Sequence, residues 1–129
     1  MISRNVILVD DDDVINLVHR EVIKRIVPDA NIHVFKSGPQ LIAFLEESPT
    51  FPIDFLFLDI RMPEMDGFEV LGKLKQLNLS TVKHSKIYVL SSTLDEKDLS
   101  KARNDDWVTD FIGKPLSFQT IEHLLGKAS

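Results

Sequence analysis

The residues able to do chemistry in this chain are carboxylates, one lysine and a pair of serines, and each group falls at the end of a short apolar run. Asp10-Asp11-Asp12-Asp13 closes Val6-Ile7-Leu8-Val9, and Asp59 closes Ile53 to Leu58. Ser91-Ser92-Thr93 closes Ile87 to Leu90, and Lys114 follows Val108 to Ile112 through Gly113. Two unit charges ~4 Å apart repel by ~1 kcal/mol in water and ~4 kcal/mol at a protein-like dielectric. If Asp10, Asp11 and Asp59 meet at one place, they need a cation to stay ionised together. Mg²⁺ is the economical choice, because it takes one or two carboxylates, waters and a phosphate. Asp59 beside Mg²⁺, with the Ser92 hydroxyl and the Lys114 ammonium, is what an aspartyl-phosphate site requires. A carboxylate attacks phosphorus, the cations neutralise the equatorial oxygens, and the hydroxyl donates to one of them. Asp12 and Asp13 read as the capped first turn of a helix. No GxGxxG or P-loop follows the first apolar run, which argues against a nucleotide cradle. The Asp10 to Glu21 stretch fails as a calcium loop because its sixth position is Ile15 rather than glycine.

The elements that must position these groups follow from hydrophobic spacing. The run Val6–Val9, rich in β-branched residues, reads as a strand buried on both faces. Val14, Leu17, Val18, Val22 and Ile26 then recur at helical spacing up to Pro28, which predicts an inward apolar stripe. A second strand over Asn31–Phe35 meets the Ser37-Gly38-Pro39 turn and a helix carrying Leu41, Ile42, Phe44 and Leu45. The third strand, Ile53–Leu58, leads through a turn at Met62–Gly67 into a helix with Phe68, Leu71 and Leu74 inward. A fourth strand precedes a weak, polar helix over Asp95–Arg103, and a fifth precedes a last helix carrying Phe118, Ile121, Leu124 and Leu125. Five strands alternating with five helices predict an α/β domain, a parallel sheet covered on both faces. In such a sheet the carboxyl ends of the strands share one crevice, so residues some hundred positions apart converge there.

Composition agrees. The 129 residues suit one domain over residues 1–129, and 43% hydrophobic with 27% charged is ordinary globular usage. A net charge of −5 argues against direct nucleic-acid binding. The absence of cysteine excludes disulfides, thiolate zinc sites and cysteine nucleophiles. No apolar segment is long enough for a signal-peptide core or a membrane span, so the expectation is a soluble cytoplasmic domain. His19, His33, His84 and His123 lie in different elements without ligand spacing and read as surface or half-buried histidines.

Taken together, Asp59-Ile60-Arg61-Met62-Pro63-Glu64-Met65-Asp66-Gly67 after Phe55–Leu58, the pair Asp10-Asp11 after Ile7-Leu8-Val9, and Lys114-Pro115 resemble the receiver domains of two-component response regulators. The resemblance extends along essentially the whole chain and favours the stand-alone type, with a fragment of a longer regulator or hybrid kinase as the other possibility. It implies a flavodoxin-like doubly wound (βα)5 fold with strand order 2-1-3-4-5. It also implies a signalling receiver that catalyses only its own phosphoryl transfer and dephosphorylation. Asp59 would accept the phosphoryl group from a sensor histidine kinase or a histidine phosphotransfer protein in a phosphorelay. Asp11, Asp59 and the backbone carbonyl of Arg61 would hold Mg²⁺, with Asp10 acting largely through a metal-bound water. Lys114 would pair with Asp59 and then with the acyl phosphate. The family's hydroxyl, counted back from Lys114, lands on Ser92, and Phe111 takes the place of the switch aromatic. The face made by the fourth helix, fifth strand and fifth helix would meet a downstream protein.

Several residues depart from the family pattern. Thr93 is bulkier than the usual residue there, Leu94 brings no polar group, and Arg61 is long and cationic, so slow self-dephosphorylation is expected. Trp107 stands where glycine is usual and reads as a packed loop aromatic, with a partner-binding anchor as the other reading. A rival reading is a haloacid-dehalogenase-type phosphatase with Asp10 as nucleophile and Asp12 as acid/base; it needs an acidic pair after Lys114, where only Glu122 is found. A third is a receiver-like binding module that takes no phosphate.

Overall fold

A computed structural model describes residues 4–93 and 95–126. Five strands, β1 (Asn5–Val9), β2 (Asn31–Phe35), β3 (Phe55–Asp59), β4 (Lys86–Ser91) and β5 (Asp110–Gly113), form one sheet in the order β2-β1-β3-β4-β5. Every pairing is parallel. The connections are α1 (Asp13–Ile26), α2 (Gly38–Glu47), α3 (Gly67–Leu77), a single turn α4 (Ser80–Lys83), α5 (Glu96–Arg103) and α6 (Phe118–Ile121), which opens into a π-type turn over Glu122–Gly126. The expected architecture and strand order are present. The short α4 is an addition, so the fourth helix of the sequence pattern is α5 here.

Strand alternation sorts the core into two layers. Ile7, Val9, Leu56, Leu58, Ile87, Val89 and Phe111 pack with Leu41 and Leu45 of α2, Leu71 and Leu74 of α3 and Ala102 of α5. On the opposite face Val6, Leu8, Phe55, Phe57, Tyr88 and Leu90 pack with Val22 and Ile23 of α1 and Ile121 of α6. Phe57, 1% exposed, stacks on Tyr88 with ring centroids 5.4 Å apart. Each such fully buried side chain contributes roughly 1.5–3 kcal/mol. The centre of the sheet is therefore rigid, and the strand ends that carry the carboxylates are fixed to it.

One expectation fails at α1. Val14 and Leu17 are exposed, at 67% and 61%, and Val18 is 39% exposed, while Asn16 and His19 are buried. The first turns of α1 lie over the polar ends of the strands rather than their apolar middles, and backbone groups there need partners. Asn16 Nδ2 donates to the carbonyl of Asp10 at 2.8 Å, and the Leu116 amide donates to His19 Nε2 at 2.9 Å. His19, 1% exposed, is thus an internal acceptor instead of a surface histidine.

Candidate functional site

The site is built where β1, β3 and β5 end. β1 is bonded to β3 through the registers Leu8↔Phe57 and Val9↔Leu58, which brings the next residues, Asp10 and Asp59, side by side. β4 lies between β3 and β5, with Asp59↔Leu90 and Ser91↔Gly113 in register. Lys114, the residue after Gly113, donates its backbone N–H to the Ser91 carbonyl at 2.8 Å. The Lys114-Pro115 peptide is cis. Strand parity puts Asp10, Asp59 and Lys114 on the same side of the sheet.

The three side chains meet. Lys114 Nζ donates to Asp10 Oδ2 at 2.9 Å and lies 3.1 Å from Asp59 Oδ1. Asp10 accepts a second bond on Oδ1 from the Asp12 amide at 2.9 Å. Asp59 Oδ1 is buried, and its close partner is the Lys114 ammonium. A buried carboxylate is costly unless it is paired, and the Lys114 charge is what offsets that cost here. Asp10, Asp11 and Asp59 each offer an oxygen within 4.8 Å of the others, Asp11 from an exposed position and the other two from buried ones. Oxygen donors at that spacing fit a hard divalent ion. Asp10 is already bonded on both oxygens, to the Asp12 amide and to Lys114. Asp12 caps α1, accepting from the amides of Val14 and Ile15 at 2.9 Å and 3.2 Å. Both bonds fall on its Oδ1, the helix-cap use that the sequence pattern predicts for this residue.

Electrostatics follow from burial and proximity. Burial pushes the Asp59 carboxyl up to about 6, the Asp10 charge adds to the rise, and the Lys114 charge and the Arg61 backbone amide pull the other way. Burial works against the Lys114 ammonium, but the bond to Asp10 and the charges of Asp59 and Asp10 outweigh it and hold its pKa above the ordinary lysine value. Near neutral pH, Asp59 is thus an anion held beside a cation in a dry setting.

The strand-end hydroxyl is Ser91. It is the last residue of β4, fully buried, and by alternation shares the face of Val89 and of Phe111, which pairs with Val89. Its Oγ accepts from the Thr93 amide at 3.2 Å and lies 3.4 Å from Thr93 Oγ1. Ser92 sits one residue beyond the strand in an exposed bend. Counting back from Lys114 runs through the α5–β5 connection and assumes its length, whereas the register Ser91↔Gly113 does not depend on it. Leu94 lies outside the described residues. Phe111 is 9% exposed, an inward residue of β5 on the α5 side.

The loop from Asp59 to α3 is tightly held. Ile60 donates to the Leu90 carbonyl at 2.9 Å and accepts from the Gly67 amide at 2.8 Å. A Cβ at Gly67 would stand 2.7 Å from the Asp59 carbonyl oxygen, so the start of α3 can approach β3 only with glycine there. Asp66 and Glu69 close a capping box on α3. Arg61 turns away from the acid cluster and pairs with Asp98 of α5, with Asp95 3.9 Å away. Trp107 packs against the core, as a loop aromatic does. Among the described residues no helix is long and apolar enough to cross a membrane.

Comparison with known proteins completes the description. The family model for the response regulator receiver domain matches residues 6–125. A two-component response regulator of Oryza sativa subsp. japonica, ORR1, is 31% identical over 124 residues, covering 92% of this chain and 52% of that protein. A probable histidine kinase of the same plant, histidine kinase 6, is 26% identical over 144 residues, covering 97% of this chain and 14% of that protein. The chain therefore spans about half of one relative's length and a small part of the other's. The crystal structure of a two component response regulator from Cytophaga hutchinsonii superposes with a TM-score of 0.86 at 32% identity, covering 98% of this chain and 96% of that one.

Proposed function

The chain belongs to the response regulator receiver domain family of two-component systems, and from that premise we propose that Asp59 is a phosphoacceptor whose modification switches a protein–protein contact. The observation that carries the reading is the buried Asp59 carboxylate, its Oδ1 3.1 Å from the Lys114 ammonium, with two further carboxylates beside it. The phosphodonor is a phosphohistidine of a sensor histidine kinase or phosphotransfer protein. An electron pair of the Asp59 carboxylate forms the O–P bond while the donor's N–P bond breaks and its pair returns to the imidazole. Lys114 holds the carboxylate in place and then faces the added negative charge. Asp11 and Asp59, with the Arg61 carbonyl, would hold Mg²⁺, with Asp10 linked through water; the ion would supply positive charge to the phosphoryl oxygens. Ser91 at the end of β4 donates its hydroxyl to the new phosphoryl group, and Phe111 on the same face responds to that movement. The face of α5, β5 and α6 then meets a downstream protein.

Intact mass after incubation with Mg²⁺ and acetyl phosphate or phosphoramidate tests this. The wild type is expected to gain one phosphoryl group and Asp59→Asn none. A gain in both proteins would move the nucleophile to another carboxylate, Asp10 first. A folded, Mg²⁺-binding wild type that gains nothing would favour the module that takes no phosphate.

A further inference from the structure

Arg61 touches both ends of the domain's chemistry. Its neighbours Ile60 and Met62 are buried, at 0% and 8% exposure, so its backbone is fixed beside Asp59 while its side chain remains 58% exposed. The guanidinium reaches 37 residues along the chain to bond Asp98, whose side chain is only 13% exposed, and Asp95, the N-cap of α5, stands 3.9 Å away. Among the described residues Asp98 has no other cation or side-chain donor. A nearly buried carboxylate with a single partner depends on that partner. The helix it belongs to has few apolar anchors: Asp98 and Ala102 are its buried residues, and Leu99 packs partly buried against the core. Outside that, Lys101 lies over the Phe68 ring of α3 at 4.6 Å. The ion pair is therefore the direct tie between α5 and the loop after Asp59.

We propose that Asp98 is a positioning residue of the Asp59 site, acting through Arg61: a phosphoryl group on Asp59 and the Asp98 carboxylate compete for the Arg61 guanidinium, so that charge gained at Asp59 loosens the first turn of α5. The inference rests on the phosphoacceptor reading given above. Phosphorylation replaces a carboxylate of charge −1 by an acyl phosphate of about −2 with three acceptor oxygens. Guanidinium prefers such an anion and bonds it bidentately. Arg61 starts two residues from Asp59 and is the mobile member, since Asp98 is enclosed and cannot follow. Its departure leaves Asp98 buried and unpaired, and α5 responds. The same competition sets the phosphoryl lifetime, because Arg61 shields the acyl phosphate only for the fraction of time that it is off Asp98.

The test is hydrogen exchange of the α5 amides, with and without acetyl phosphate and Mg²⁺, alongside the decay of the phosphorylated mass. The proteins compared are the full-chain wild type, Asp98→Asn and Asp98→Asn with Arg61→Ala. Loading the wild type is expected to speed exchange in the first turn of α5 by about tenfold, within the usual range of site-to-site coupling. Asp98→Asn is expected to exchange fast already and to change less than twofold on loading. Its phosphoryl group should last about fivefold longer, and adding Arg61→Ala should cancel that gain. A purely structural Asp98 would speed exchange in both states and leave the lifetime unchanged, which would overturn the inference. So would a loading response equal in wild type and Asp98→Asn. A wild type that takes no phosphoryl group on Asp59 overturns the acceptor reading itself, and this inference with it. Uptake on Asp59 with α5 indifferent to Asp98 overturns the inference alone.

Discussion

At the scale of single residues, Ser91 and Ser92 give the sharpest comparison, because they are chemically identical neighbours in opposite surroundings. Ser91 is enclosed at the end of β4 on the face of Phe111, and Ser92 is exposed beyond it. Ser91→Ala is expected to lower the rate of phosphoryl uptake from acetyl phosphate by about 10-fold or more, since one lost hydrogen bond to a charged group is worth roughly 1.5–3 kcal/mol. Ser92→Ala should leave the rate within about twofold, as surface substitutions usually do. Uptake kinetics followed by intact mass separate the two, and the reverse order would return the role to Ser92. Counting back from Lys114 along the sequence lands on Ser92, whereas β4 ends at Ser91. The deciding information is a hydrogen-bond register between β4 and β5, a long-range property with no local signature. Asp10 and Asp59 escape that ambiguity because each follows directly on its own apolar strand.

At the scale of elements, the loop between β3 and α3 depends on close backbone approach. Gly67→Ala places a methyl carbon 2.7 Å from the Asp59 carbonyl oxygen and 3.0 Å from Ile60 Cα, both backbone atoms that cannot yield by a rotamer change. It is expected to destabilise the fold by about 1–3 kcal/mol, as overpacking does. It should also slow phosphoryl uptake by shifting the strand end that carries Asp59. Urea unfolding read beside uptake kinetics checks both, and an unchanged midpoint would show that α3 relaxes freely. The strands and most helices are legible in advance because period-2 and period-3.6 patterns are local. The face of α1 is not. Its apolar residues Val14, Leu17 and Val18 point outward because the inward positions are taken by Asn16 and His19, which satisfy the Asp10 carbonyl and the Leu116 amide. Periodicity counts side chains and does not see backbone groups, 97 residues away in one case, that need a partner. The link from Arg61 to Asp98 is invisible for the same reason: Arg61 stands out in the sequence only for its place beside Asp59, and nothing there pairs it with Asp98 until α5 is laid beside the loop.

At the scale of the whole molecule, two buried titratable groups act on stability in opposite directions over nearly the same pH range. Asp59 is raised from 3.8 to about 6 by burial and the Asp10 charge, so between those values the folded chain holds a proton that the unfolded chain has released. Stability falls with rising pH wherever the folded state binds more protons, so this contribution is present below pH ~4 and lost as pH climbs through 6. His19 is lowered from 6.5 to about 4, mainly by burial, with Asp10 opposing and Lys114 assisting. Here the unfolded chain binds the extra proton, so stability is complete above pH ~6.5 and lost as pH falls toward 4. Each proton difference is worth ~1.4 kcal/mol per pH unit, and in the wild type the two largely offset one another. Removing either exposes the other. Relative to wild type, Asp59→Asn should gain on the order of 2 kcal/mol between pH 4 and 6.5 as pH rises. His19→Gln, which keeps an acceptor for the Leu116 amide, should show the opposite trend over the same interval. Denaturant unfolding at half-unit pH steps in the absence of divalent ions measures both differences, and the other carboxylates cancel in the subtraction. Parallel profiles would mean that burial does not set the charge of these groups. Crossing profiles would mean that the acceptor is held ionised near neutral pH at a cost to the fold. A cation or a phosphoryl group arriving at Asp59 then has that stored free energy to work with, and the added stability should scale with ligand concentration, about 2.7 kcal/mol at one hundred times the dissociation constant.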